Sequence, residues 1–131
     1  MQNKSTPILL DGSMGQELVN RGAKSEYGMW AVSALYENPE MVKAIHTDYI
    51  QAGADVITTN TYATTRTRLR HVGMEERLAE LVHIAGKLAI EARETTQAEH
   101  VQIAACLPPL EASYASDFKL DFDGMVAEYR E

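Results

Sequence analysis

Apolar residues along this chain follow two spacings. Short unbroken runs, "PILLDG" (residues 7–12), "ADVITT" (54–59) and "VQIAAC" (101–106), alternate with longer stretches whose apolar positions recur every three or four residues. An unbroken run closed by turn-forming residues predicts a strand buried on both faces of a parallel sheet. The stretches between them predict helices. "SMGQELVNRG" reads as a short helix stopped by Gly22. "ENPEMVKAIHTDYIQAG" reads as a helix capped by Asn38, with Pro39 in its first turn and Gly53 at its end. Val42, Ile45, Tyr49 and Ala52 share one face of it. A longer helix is predicted from Glu75 to Thr95, where Leu78, Leu81, Val82, Ala85, Leu88, Ala89 and Ala92 form one stripe. "DFDGMVAEYRE" begins a further helix, and residues 23–37, with Gly28, Trp30 and Tyr36, read as a long loop with a helical turn.

Strand followed by helix, repeated, defines an α/β protein with a parallel sheet. A doubly wound fold can be complete near this length, whereas a (β/α)₈ barrel needs about 250 residues. Three strand-helix units and an unfinished helix close neither, so the chain reads as the first part of something longer. No repeat, low-complexity segment or linker divides it, and residues 1–131 form one domain or one piece of a domain.

Composition narrows the class of partner. With 45% hydrophobic and 24% charged residues the chain is of ordinary globular type. A net charge of −7 argues against a nucleic-acid surface, which needs a basic patch. The one basic cluster, Arg66, Arg68 and Arg70 in "TTRTRLRH", reads as a solvated face or helix start, with an anion contact as the alternative. A single cysteine, Cys106, rules out an internal disulfide framework and favours a reducing compartment. No apolar run approaches the roughly 20 residues of a membrane span, and "MQNKSTP" lacks the apolar core of a secretory signal. A cytoplasmic location is therefore expected.

In parallel α/β folds ligands collect at the carboxyl ends of strands. That rule selects Asp11-Gly12, Thr59-Asn60-Thr61 and Cys106. A carboxylate closing a buried strand needs a cationic or hydrogen-bonding partner. Asp11 thus reads equally as a ligand for a substrate ammonium or as a cap for the next helix. "DGSMGQ" places glycines between strand and helix, yet matches neither the dinucleotide fingerprint nor the P-loop. His46, His71, His83 and His100 lack metal-ligand spacing and read as lone core or surface histidines. Cys106 has no identifiable base and reads as packing.

"ILLDGSMGQELVNRG", "MWAVSAL" and "NPEMVKAIHTDYIQAGADVITTNTYATT", followed by "AACLPPLEASYASDF", resemble the homocysteine S-methyltransferase family in order and spacing. The resemblance runs over about residues 7–118. It implies the N-terminal portion of a (β/α)₈ TIM-type barrel, about three strand-helix units. It further implies transfer of a methyl group to the homocysteine thiol, making methionine, from a donor such as S-methylmethionine or S-adenosylmethionine. By the same resemblance Asp11 holds the substrate amino group, Gly12 admits close backbone approach, and Thr59 lies beside the amino-acid end. Asn60, Thr61 and Tyr62 complete the strand-two signature, Asn60 counting with the substrate-binding residues. The family also implies zinc bound by cysteine thiolates, but its Gly-Gly-Cys-Cys element has no counterpart in this sequence, and Cys106 is not at a ligand position. The 131 residues alone are accordingly expected to be inactive. Two other readings stand beside this one: a non-catalytic amino-acid-binding or assembly module that self-associates through open barrel edges, and a different barrel enzyme acting on a phosphorylated substrate.

Overall fold

The computed structural model describes residues 6–24, 30–110, 114, 117 and 119–130. Its helices are α1 (Met14–Asn20), α2 (Ala34–Glu37), α3 (Pro39–Gln51), α4 (Arg66–Arg70), α5 (Leu78–Thr95) and α6 (Phe122–Arg130). Strands β1 (Val56–Thr58) and β2 (Gln102–Ala104) run parallel, with Ile57 opposite Ile103. Tight 3-10 turns occupy Trp30–Val32 and Glu75–Arg77. The expected loop around Gly28 lies outside the described residues.

The first predicted strand reaches the sheet as an extended segment rather than as a full ladder. Leu10 bridges Val56 in parallel, the amides of Asp55 and Val56 both donate to the Leu9 carbonyl, and Asp11 N donates to Val56 O at 3.0 Å. Three parallel segments therefore lie side by side in chain order. The expectation that this run is buried on both faces is corrected: Ile8, Leu9 and Leu10 are 71%, 56% and 63% exposed. Successive side chains of a strand point to opposite faces, so both sides of this segment face solvent among the described residues.

Helix ends follow local chemistry. Ser13 caps α1 by accepting from Gln16 N, and Thr65 caps α4 by accepting from Arg68 N. Asn38 occupies the cap position of α3 without a side-chain hydrogen bond, so Pro39 alone supplies the expected start signal. Gly53 terminates α3 at φ +99°, a conformation that side chains disfavour. Its amide donates to Ile50 O and that of Ala54 to Tyr49 O. The long helix begins at Leu78, because residues 75–77 wind as a 3-10 turn.

Packing forms two adjoining clusters. Leu18, Val32, Leu35, Val42, Ile45, Leu69, Leu81, Ala85 and Leu88 join α1 to α5 in the larger one. Ile50, Ala54, Ile57, Ala89, Ala92, Ala98 and Val101 lie where α3 and α5 cover the strands. Tyr49 packs against both. Two expected core positions lie outside: Ala52, in the C-cap, is exposed, and Val82 is 44% exposed. Ala52 falls beyond the last helical residue, Gln51, and Val82 lies at the edge of the α5 stripe. No described helix is long and apolar enough to cross a membrane.

Candidate functional site

Parallel register puts the end of the first segment beside the end of β1. Asp11 is half-buried there, and its carboxylate accepts two hydrogen bonds from one residue: Thr58 N at 2.7 Å to Oδ2 and Thr58 Oγ1 at 3.1 Å to Oδ1. A carboxylate so held is fixed in orientation. Each oxygen still has acceptor capacity for an incoming donor. Asp11 is not the side-chain cap of α1, since Ser13 fills that role.

Beyond β1 the chain turns sharply, with Thr61 N donating to Thr59 O at 2.8 Å. The hydroxyls of Thr59 and Thr61 pair at 3.1 Å, and both residues are buried. Thr59 N donates to Ala104 O, which fixes this turn to the end of β2. Asn60 is buried, and its Nδ2 donates to Ala31 O at 2.9 Å, tying the turn to the segment before α2. Hydroxyl bonding continues along the chain: Thr65 pairs with Thr67, which donates to Leu110 O at 2.7 Å. Arg68 lies over the Tyr62 ring and donates from Nε to Pro109 O. Arg70 pairs with Glu128 at 3.7 Å.

Gly12 is exposed to solvent on one side and abuts the Tyr49 ring on the other. One turn earlier on α3 lies His46, which is fully buried. Neither of its ring nitrogens finds a hydrogen-bond partner among the described residues. Burial pushes its pKa from 6.5 down to about 4, opposed in part by the negative charge of Asp11. His46 is thus a neutral imidazole within the electrostatic reach of the Asp11 carboxylate. Thr58, Tyr49 and His46 are the residues that the sequence did not single out for the site. A His and a Tyr three residues apart on the inner face of α3 are the signal that could have pointed to the last two.

Cys106 lies just past β2, half-buried, with its thiol pushed up by burial. A protonated thiol is a poor metal ligand. No group of three His, Cys, Asp or Glu side chains among the described residues is placed to hold a metal ion. The donors present therefore do not fit a zinc-thiolate centre.

A fixed carboxylate and a hydroxyl-rich turn thus lie at the carboxyl ends of neighbouring parallel strands, the place where α/β folds bind small molecules. The sequence model of the homocysteine S-methyltransferase family matches residues 8–131, and the chain belongs to that family. Homocysteine S-methyltransferase from Escherichia coli is 35% identical over 106 residues, which are 80% of this chain and 34% of that protein. Homocysteine S-methyltransferase YbgG from Bacillus subtilis is 38% identical over 88 residues, 66% of this chain and 28% of that one. The crystal structure of the homocysteine methyltransferase MmuM from Escherichia coli, in its metallated form, superposes with a TM-score of 0.84 at 29% identity. That superposition covers 98% of this chain and 49% of the other. The chain spans about half of that solved structure, and its matched stretch spans about a third of the curated relatives.

Proposed function

We propose that this chain forms the amino-acid-gripping wall of a homocysteine S-methyltransferase site, in the N-terminal portion of a (β/α)₈ barrel. The observation that carries the reading is the Asp11 carboxylate, fixed by both Thr58 donors at the carboxyl end of a parallel strand. There it makes a charge-assisted contact with the substrate ammonium. Gly12 lets the ligand approach the backbone, while Thr59 and Asn60 line the neighbouring strand end. Strand adjacency in chain order fits the start of such a barrel.

Methyl transfer needs more than this wall. The family's zinc supplies a homocysteine thiolate at neutral pH when bound, and the residues of this chain do not fit such a centre. Its own part is binding and orientation of the amino acid, with the methyl donor, S-methylmethionine or S-adenosylmethionine, met elsewhere. Cytoplasmic action in methionine biosynthesis belongs to the same proposal. The test is calorimetric titration of L-homocysteine into the 131-residue chain and its Asp11→Asn variant. Loss of the charge pair is expected to weaken binding about tenfold or more. Equal affinities would remove Asp11 from the site, and competition by inorganic phosphate would favour an enzyme of phosphorylated substrates.

A second reading, an assembly module, is favoured by the exposure of Ile8, Leu9 and Leu10 on an edge segment. Such edges pair with other chains. Sedimentation of the purified chain tests it: a monomer over the micromolar range would dismiss self-association.

A further inference from the structure

Gly12 has almost no free space on its α3 side. A Cβ added there would lie 2.6 Å from Tyr49 Oη, 2.8 Å from Cε1 and 2.9 Å from Cζ, closer than real Cβ contacts come. The phenol also donates to Ser13 O at 3.4 Å, a carbonyl that already accepts from Glu17 N. One ring thus touches the backbone at two successive residues after Asp11. Tyr49 is itself held on both sides, since it packs against both core clusters. Next to it on α3, Asp48 accepts from Arg21 Nη2 at 2.7 Å, and the same guanidinium reaches Glu17 at 3.4 Å. Helix α3 therefore holds the turn before α1 through Tyr49 and the end of α1 through Asp48. Burial and the charges of Glu17 and Asp11 raise the Tyr49 pKa, which keeps the hydroxyl a donor at neutral pH.

We propose that Tyr49 is a positioning residue of the amino-acid site: its ring closes the inner side of Gly12, sets the height of the Asp11–Gly12–Ser13 turn, and leaves the backbone open to ligand from one side alone. This inference rests on the homocysteine reading given above. The requirement for glycine at position 12 then comes from the tyrosine as much as from the ligand, and the two positions are energetically coupled.

The test is a double-mutant cycle on L-homocysteine affinity, with Gly12→Ala, Tyr49→Leu, Tyr49→Phe and the two pairs. Gly12→Ala is expected to weaken binding about tenfold, and Tyr49→Leu about threefold. Gly12→Ala with Tyr49→Leu is expected to bind no worse than Tyr49→Leu alone, because the obstructing ring is gone. Gly12→Ala with Tyr49→Phe should not recover, because Cε1 and Cζ remain. Far-UV circular dichroism checks that each variant folds. If Tyr49→Leu does not, the more pliant Tyr49→Met takes its place. Losses that simply multiply, or a Gly12→Ala variant that binds like the wild type, overturn the positioning role while leaving the homocysteine reading intact. A wild-type chain that binds no homocysteine overturns both.

Discussion

Acid should unfold this chain earlier than its carboxylates alone require, and the cause is His46. The ring is fully buried, its nitrogens have no hydrogen-bond partner among the described residues, and its pKa falls from 6.5 to about 4 in the fold. Between those two values the unfolded chain binds a proton that the folded chain refuses, so stability rises with pH across that window. The contribution is whole above pH 6.5, shrinks as the pH falls, and is lost below about pH 4. At about 1.4 kcal/mol for each tenfold change in proton affinity, the loss amounts to about 3 kcal/mol. That is a large fraction of the roughly 5–15 kcal/mol that holds a domain folded.

Urea unfolding midpoints measured from pH 7.5 to 4 isolate the effect when His46→Leu is run beside the wild type. Leucine fills a comparable volume and has no proton to bind. At pH 7 the variant should match or exceed the wild type, since two unpaired buried nitrogens are replaced by apolar surface. Below pH 6 the wild type should lose stability faster, the gap growing to about 3 kcal/mol near pH 4. Asp11 opposes the shift, so Asp11→Asn should move the His46 titration, read by the ring proton resonances, to still lower pH. Parallel pH curves for wild type and His46→Leu, or a ring titrating near 6.5, would refute the account.

Three further outcomes follow from the geometry. Leu81→Ala, at a fully buried position of the larger cluster, should cost about 2–5 kcal/mol in urea unfolding. Asn60→Ala frees the Ala31 carbonyl from its 2.9 Å bond; a loss of about 1–2 kcal/mol is expected, with faster amide exchange in the turn after β1. Supplied with zinc, homocysteine and S-methylmethionine, the purified 131-residue chain should make no methionine by mass spectrometry, and steady turnover would show that a metal centre forms here after all.

Much of the architecture was legible because it depends on local pattern. The 3.6-residue stripe on α5 marks Leu81, Ala85, Leu88, Ala89 and Ala92, and all five are buried. Gly53 ends α3 by the expected left-handed turn. The strands were less legible in extent: runs of six residues pair over three in β1 and β2. An apolar run reports which residues prefer burial, whereas a ladder needs a neighbour along its whole length. Ile8 to Leu10 show the difference most plainly. Their backbone finds β1, but their side chains find no cover among the described residues.

The site divides along the same line. Asp11 and the polar row after β1 stand out in the sequence because polar groups at the end of an apolar run must be satisfied somehow. What satisfies them is set by register. Thr58 reaches Asp11 with both its amide and its hydroxyl only because Leu10 lies opposite Val56. In a parallel pair, a slip of one residue would turn the Thr58 side chain to the other face of the sheet and remove it from the carboxylate. Register also explains why Thr58, a member of the same polar row, was given no role while Thr59 was. Thr59 was chosen for its place in the row, but it is the residue before it, still within the strand, whose position faces the first segment. The fixed carboxylate is thus a product of pairing between segments 47 residues apart, and no reading of either segment alone contains it.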